Sequence, residues 1–174
     1  DGYAWWKKRL TAMSNYFDAY RLDHILGFFR IWQMPEDSVR GLLGQFSPAI
    51  ALSAEEIENN YGIPLRQWGL ERFINPFIKD WVLDELFGRD NRDWIIQTFL
   101  DYIGNGNYTF QNEYNNQKKV EKAQLEDWVR EGLYKLHENI ILLKDDENPE
   151  KYHPRISLMQ TISFREFGDD YKGR

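Results

Sequence analysis

The chain has 174 residues, a formal net charge of −6 and no cysteine. Its length fits one domain or a piece of a larger one, and the lack of thiols excludes a disulfide framework and a thiolate metal site. The acidic balance argues against nucleic acid as a partner, and no apolar run approaches the ~18 residues of a membrane span. Aromatic residues make up 16% of the chain, which is typical of a thick core, a sugar-stacking surface, or both.

The first segment of the chain combines a helical pattern with an extended one. Its first residue is Asp1 rather than Met, so we expect an excised piece of a longer protein. An apolar stripe at helical spacing predicts a helix over residues 5–16. Residues 17–23 carry no helix cap and are predicted to form a short strand. This arrangement is typical of one β/α unit taken out of a larger sheet.

The middle of the chain carries the strongest helix signals. Ser53 followed by Glu56 is a capping-box pattern, in which each side chain bonds the backbone N–H of the other residue. Asn75 and Pro76 predict the start of a further helix, with Asn as the cap and Pro at the first helical position. Gly88 is expected to end that helix, because glycine tolerates the left-handed conformation after a last turn.

The later elements are predicted from capping, periodicity and turn signals. Asp90 is expected to cap a fourth helix, and residues 117–136 to form the longest one, although Gly132 within it costs about 1 kcal/mol relative to Ala. A turn at residues 105–106 and a strand at residues 108–110 are expected between these two helices. The apolar, β-branched run at 140–143 predicts another strand. The chain is therefore predicted to be mainly α, with one or two short strands.

The densest group of chemically active side chains lies at residues 20–24, Tyr-Arg-Leu-Asp-His. Arg21 and Asp23 are two apart, so on a strand they face the same side. An arginine beside a carboxylate favours its ionised form, which suits a nucleophile or an electrostatic stabiliser rather than a general acid. His24 adds a donor for a hydroxyl-bearing ligand. The structural alternative is a partly buried Arg21–Asp23 ion pair with His24 as a core histidine.

Other kinds of site find little support in the sequence. His137 and His153 have no ligand spacing to each other or to His24, so we expect no metal site. The chain has no glycine-rich phosphate loop and no serine nucleophile elbow. We therefore expect no cofactor.

The motif at residues 20–24 belongs to a longer pattern. It is preceded by Gly-Tyr-Ala-Trp-Trp at residues 2–6 and followed by Gly27-Phe28 and Trp32-x-x-Pro35. Together these residues resemble the amylomaltase family, the 4-α-glucanotransferases of glycoside hydrolase family 77. The pattern continues through Gly41, Gly44, Phe46 and Pro48. It looks closest to the branch that contains the plant cytosolic disproportionating enzyme and its bacterial relatives.

The resemblance implies a domain organisation. The family folds as a (β/α)8 barrel with its active site at the carboxyl ends of the strands. Residues 1–50 would be a nucleophile-bearing β/α segment of that barrel, and residues 51–138 a mainly helical insertion characteristic of this branch. Residues 139–174 would return toward the barrel, because the sequence Tyr-His-Pro-Arg-Ile at 152–156 resembles the point where the insertion rejoins it.

The resemblance also implies a reaction. Asp23 would be the nucleophile of a retaining transfer of α-1,4-glucan chains between maltooligosaccharides. Arg21 would orient Asp23 and bind substrate near the sugar 2-hydroxyl, and His24 would bind a substrate hydroxyl in the same subsite. The family's acid/base Glu and its third carboxylate have no matching segment here, so the chain alone is expected to be inactive. The expected partner is a maltooligosaccharide or glucan in the cytoplasm, with no nucleic acid, no membrane and no prediction of oligomeric state.

One departure and two alternatives accompany the resemblance. Many family members carry Arg immediately before the glycine at position 27, where this chain has Leu26; Arg30 would take over its role. The first alternative function is a helical glucan-binding or protein-interaction module. The second is an α-amylase-type glycoside hydrolase, which also carries an Asp nucleophile two residues after an Arg.

Overall fold

The computed structural model describes residues 2–21, 23, 27 and 29–167. The chain divides into two compact units, Asp1–Ile31 and Trp32–Arg174. The described helices and small sheets give a mixed architecture. The prediction of a mainly α chain with short strands is therefore confirmed only at the coarse level of short helices combined with short strands.

The first unit contains helix α1 (Ala4–Met13), none of whose residues is buried. The rings of Trp5 and Trp6 meet edge to face with their centroids 4.8 Å apart. The guanidinium of Arg9 lies 5.2 Å from the centre of the Trp5 ring. This helix confirms the prediction for residues 5–16 but ends three residues earlier than expected.

The predicted strand at residues 17–23 is wrong for the part of that segment that the structure describes. Residues 17–21 have no strand conformation, and Asp23 lies in a bend. A strand is held by backbone hydrogen bonds to a neighbouring strand. No described residue forms a ladder with this segment, so the extended propensity of its sequence has nothing to stabilise it. Leu22 lies outside the described residues.

In the described part of the second unit, the elements are short and follow one another closely. The helices are α2 (Ala54–Tyr61), α3 (Leu65–Trp68), α4 (Glu71–Ile74), α5 (Asp80–Phe87), α6 (Arg89–Phe99), α7 (Gln117–Lys122) and α8 (Asp127–His137). The strands are β1 (Ile31–Gln33), β2 (Gln45–Ser47), β3 (Leu52–Ser53), β4 (Leu100–Gly104), β5 (Asn107–Phe110), β6 (Leu142–Lys144) and β7 (Lys151–Pro154).

These strands form three small sheets. β1 pairs with β2, and β4 forms an antiparallel hairpin with β5. In the third sheet β7 lies between β3 and β6 and is antiparallel to both, with Leu52 opposite Tyr152 and Leu143 opposite His153. This sheet therefore joins the start of the predicted insertion to the segment that follows it. The predicted strands at 108–110 and 140–143 are confirmed as β5 and, displaced toward the C-terminus, β6.

Two of the predicted helix boundaries are confirmed. The Ser53 hydroxyl accepts a hydrogen bond from Glu56 N at 3.1 Å, and the Glu56 carboxylate accepts one from Ser53 N at 2.7 Å. Gly88 ends α5 with a φ of 79°, a region that favours glycine. Both signals act within a few residues of the chain, so no tertiary contact is needed to realise them.

The helix start predicted at Asn75 and Pro76 is wrong. Asn75 instead ends α4, and the next helix begins at Asp80. The reason is a non-local contact: Phe77 N donates to Asn139 O at 2.9 Å, and Phe77 O accepts from the Asn139 side chain at 2.7 Å. This pairing holds the backbone out of a helix where the sequence favours one. Asp90 is not a cap either, because α6 begins at Arg89 and places Asp90 in its first turn.

The single long helix predicted over residues 117–136 is two helices, α7 and α8. A straight helix of 20 residues would be about 30 Å long. The break at residues 123–126 lets Val120 and Leu133, both fully buried, enter the same core. Gly132 is not the break. It lies buried within α8, and a Cβ at this position would overlap the ring of Phe87, so the glycine allows α5 and α8 to approach closely.

Two apolar clusters stabilise the second unit. The larger one joins α5, α6 and α8 to the hairpin; its fully buried members include Val82, Leu83, Ile95, Phe99 and Leu136. The smaller one joins α2, α3 and α4 to the three-stranded sheet and includes Leu65, Phe73 and Ile141. No helix in the described ranges has the length and apolar character needed to cross a bilayer.

Candidate active site

The predicted nucleophile Asp23 contacts the arginine that the sequence placed beside it. Arg21 Nε donates to Asp23 Oδ1 at 2.5 Å. The side chains are 89% and 75% exposed, respectively, so this ion pair is not the partly buried one of the structural alternative. The contact arises in a bend rather than on a strand. His24, Leu26 and Phe28 lie outside the described residues.

The ion pair places a cation 2.5 Å from one carboxylate oxygen of Asp23, and a carboxylate is one of the groups that can act as a covalent nucleophile. A retaining transfer also needs a second carboxyl group about 5–5.5 Å from the nucleophile. The motif expected for that acid does not occur in the sequence. An exposed carboxylate also remains hydrated, whereas closure around the substrate would strengthen its interactions.

The family-like residues after position 31 have packing roles. Trp32 Nε1 donates to Gly41 O at 3.1 Å, and its ring meets Phe46 edge to face at 4.9 Å between centroids. A Cβ on Gly44 would lie 2.6 Å from Gln33 O and would overlap the Trp32 ring. Gly44 therefore accommodates the indole, whereas a Cβ on Gly41 would make only ordinary van der Waals contact, at 3.6 Å from Trp32 Nε1. Trp32 thus packs within the second unit.

A buried amide anchors the next stretch of chain to the helices. Gln117 is 1% exposed, and its Oε1 accepts hydrogen bonds from Val39 N at 2.9 Å and Arg40 N at 3.0 Å. Its Nε2 donates to Glu138 Oε1 at 3.0 Å. Arg40 forms ion pairs with Glu138, at 3.7 Å, and with Glu131. The hydrogen bond from Arg40 lowers the pKa of Glu131. Residues 39–40 are thereby fixed against α7 and α8.

A second polar cluster anchors the segment after β7. Asn139, 2% exposed, accepts a hydrogen bond from Ser163 N at 2.7 Å through its Oδ1. Arg72 donates to the hydroxyl of Ser163 and, at 2.9 Å, to its carbonyl oxygen. The guanidinium of Arg72 also lies 3.6 Å from the centre of the Phe77 ring. Burial lowers the pKa of Arg72 to about 10. This group remains charged at neutral pH.

The two described histidines have structural partners. His153 Nε2 donates to Asp145 Oδ2 at 2.7 Å, and this bond lowers the pKa of Asp145. His137 Nε2 donates to Tyr114 O at 2.9 Å, and its ring stacks on Phe110 at 3.8 Å between centroids. Burial lowers the pKa of His137 to about 4. Among the described residues, no group of three or more His, Asp and Glu side chains is placed to hold a metal ion.

A cavity of about 530 Å³ lies between residues 68–79 and the β4–β5 hairpin. We call it the hairpin pocket. Its lining combines aromatic, amide, hydroxyl and charged side chains: Trp68, Glu71, Arg72, Asn75, Pro76, Phe77, Ile78, Lys79, Ile103, Gly104, Asn105, Asn107, Tyr108, Thr109 and Phe110. The sequence did not predict this pocket. It predicted only a turn at residues 105–106 and a strand at residues 108–110 in this part of the lining.

Comparison with known proteins identifies the family. Residues 1–146 match the profile of glycoside hydrolase family 77, described as 4-alpha-glucanotransferase. The chain is a member of this family. The resemblance stated from the motifs at residues 2–6 and 20–24 is thereby confirmed.

Named relatives of this glucanotransferase family agree. The chain is 40% identical over 185 residues to the 4-alpha-glucanotransferase DPE2 of Oryza sativa subsp. japonica, an alignment that covers 99% of this chain and 19% of the rice protein. It is 59% identical over 32 residues to the 4-alpha-glucanotransferase of Chlamydia pneumoniae, covering 18% of this chain and 6% of that protein. No solved structure gives a significant match. The chain thus spans about a fifth of the rice relative's length.

Proposed function

We propose that the chain is part of an enzyme that transfers α-1,4-glucan chains between maltooligosaccharides, with Asp23 as its nucleophile. The observation that carries the proposal is the match of residues 1–146 to the 4-alpha-glucanotransferase family. The ion pair between Arg21 and Asp23 supports it, because it places a cation beside the carboxylate that would attack.

The reaction proceeds by two displacements at the anomeric carbon. In the first, an oxygen of Asp23 attacks that carbon and the glycosidic bond breaks, while a carboxylic acid elsewhere in the full enzyme protonates the leaving oxygen. In the second, the same group, now a carboxylate, takes a proton from an acceptor sugar hydroxyl. That hydroxyl oxygen attacks the anomeric carbon, and the bond to Asp23 breaks. Two inversions retain the configuration.

In this proposal Arg21 and His24 are substrate-binding residues, and Arg21 also positions Asp23 through their ion pair. His24 would bind a hydroxyl of the sugar whose anomeric carbon is attacked. Residues 1–50 would form one β/α unit of a (β/α)8 barrel, residues 51–138 its helical insertion and residues 139–174 the return. Such a barrel takes roughly 250 residues, more than this chain contains.

The test incubates the full-length enzyme with maltose. Transfer gives glucose together with longer maltooligosaccharides, whereas an α-amylase-type hydrolase gives glucose alone and a binding module gives no turnover. We expect transfer. Asp23→Asn should lower kcat by about 10⁴-fold or more, because it removes the nucleophile. Asp18→Asn, five residues earlier and also exposed, is the matched control and should keep full activity. Retained turnover in Asp23→Asn would refute the nucleophile assignment.

The substrate source and the compartment are part of the same proposal. The resemblance to the plant cytosolic branch supports maltose and starch-derived glucans as substrates, and the cytoplasm as the location. Fractionation of the source cells, with the full-length protein detected by antibody, tests the location. Recovery with an organelle or membrane fraction instead of the cytoplasmic fraction would contradict it.

A further inference from the structure

We propose that the hairpin pocket binds a segment of a glucan chain. This inference rests on the proposed function for the class of ligand, and on the described second unit for the site. The pocket volume of about 530 Å³ lies within the roughly 300–1,000 Å³ of ordinary ligand pockets. It lies in the predicted insertion, whose function the family reaction does not assign.

The walls of the pocket are held by backbone contacts that need no ligand. Tyr108 N donates to Ile78 O at 3.1 Å, and Lys79 pairs with Asn107 in an isolated antiparallel bridge. These contacts join residues 68–79 to the hairpin directly. The floor residues Phe77, Ile78 and Phe110 are buried. A ligand would therefore meet a preformed surface and would not have to order the chain.

The charges on the lining disfavour an anionic ligand. Arg72 is already hydrogen-bonded to Ser163 and lies against the Phe77 ring. Lys79 forms an ion pair with Glu166 at 3.5 Å. Glu71 adds a negative charge to the rim and accepts a hydrogen bond from the side chain of Asn75. With its two cations paired or bonded within the fold, the lining suits a neutral ligand that carries many hydroxyl groups.

The uncharged groups of the lining match such a ligand. Trp68 is 38% exposed and is held by stacking on Phe73 and Phe167, with centroids 6.2 and 5.6 Å away. A rigid indole offers an apolar face to a sugar ring at little entropic cost. Asn105 and Thr109 are exposed and carry polar groups that sugar hydroxyls can bond. An aromatic surface with a few polar groups around it is the usual composition of a small-molecule site.

A second cavity, of about 310 Å³, provides a contrast. Its lining is almost entirely aliphatic and aromatic: Leu52, Ile57, Tyr61, Ile63, Leu65, Phe73, Ile141, Leu142, Pro154, Leu158, Phe164 and Phe167. Such a lining offers few hydrogen-bonding groups to a sugar. These two cavities therefore differ in the chemistry that they would recognise, and of the two the hairpin pocket suits a glucan better.

The experiment uses the full-length enzyme with Asp23→Asn, which blocks turnover, and maltoheptaose as the probe. Amide hydrogen exchange should slow about tenfold in peptides covering residues 68–79 and 103–110 at roughly ten times the dissociation constant. Adding Trp68→Ala should abolish this protection, whereas Trp68→Phe should keep most of it. Trp94→Ala changes a tryptophan of similar exposure, 47%, outside the pocket, and should leave the protection intact.

A variant at the rim of the pocket tests the same proposal if Trp68→Ala does not fold. Glu71 is exposed, so Glu71→Ala should leave the fold intact and weaken maltoheptaose binding about tenfold by removing a charged acceptor. No protection of either peptide by maltoheptaose, or protection by inorganic phosphate instead, would overturn the pocket assignment. If the enzyme with Asp23 intact does not transfer glucose units from maltose, the proposed function is refuted. Protection of the two peptides by maltoheptaose would still support the pocket assignment.

Discussion

Replacement of Asn139 by alanine should destabilise the second unit more than any change at an exposed amide. The side chain is 2% exposed and makes two hydrogen bonds, one to Phe77 O at 2.7 Å and one from Ser163 N at 2.7 Å. Asn139→Ala leaves both of these backbone groups without a partner. Each orphaned buried group costs about 1–3 kcal/mol, so the expected loss in the free energy of unfolding is about 4 kcal/mol.

The expected loss is large against the total stability of a domain, about 5–15 kcal/mol. The assay is urea unfolding of the chain, monitored by tryptophan fluorescence. The free energy of unfolding must fall with urea concentration at the same slope in the variant and in the unchanged chain. Asn115→Ala is the matched control: its amide donates to Asn112 at 3.1 Å on the exposed surface, so the change should cost less than about 0.5 kcal/mol. A loss below about 1 kcal/mol for Asn139→Ala would refute the argument that this amide holds the return segment.

Three further changes test the packing and electrostatics of the second unit. Gly132→Ala should destabilise the second unit despite the better helix propensity of Ala, because the added methyl group overlaps the ring of Phe87. Phe87→Leu in the same chain should restore part of the lost free energy of unfolding, as measured with urea. The folded pKa of His137 is about 4, below its unfolded value. Its contribution to the free energy of unfolding is therefore complete above about pH 6.5, and about 3 kcal/mol of it is lost on acidification to about pH 4. An imidazole that titrates near pH 6.5 by NMR would contradict this. The hydrogen bond from His153 lowers the folded pKa of Asp145. The contribution of Asp145 to the free energy of unfolding is therefore present above its unfolded pKa and is lost as the pH falls through its folded pKa. Asp145→Asn should remove that part of the loss of stability in acid, as measured by urea unfolding at a series of pH values.

The exposure of Asp23 bears on how the full enzyme would work. The Arg21–Asp23 contact forms between residues two apart, so it needs no barrel to exist. In the proposed function, enclosure and the acid/base partner would come from distant parts of a longer chain. The Arg21–Asp23 contact is therefore local, whereas the removal of water around it would be a property of the full enzyme.

The sequence by itself determined the features whose physics is local. The capping box of Ser53 and Glu56, the end of a helix at Gly88 and the turn at residues 105–106 all formed as predicted. The Arg21–Asp23 contact also belongs here, since its partners are two residues apart. The family was equally readable, because its motif lies in contiguous stretches of the first fifty residues.

The tertiary structure decided what distant residues do to one another. Asn75 and Pro76 form a good helix start, but hydrogen bonds between Phe77 and Asn139, one in each direction, keep Phe77 out of a helix. The apolar pattern over residues 117–136 is continuous, yet filling one core required two helices. The predicted strand at 17–23 found no ladder partner among the described residues, and the hairpin pocket joins segments some thirty residues apart. Propensity acts within a turn of the chain, whereas buried hydrogen bonds and packing are decided by whichever segments fold against each other.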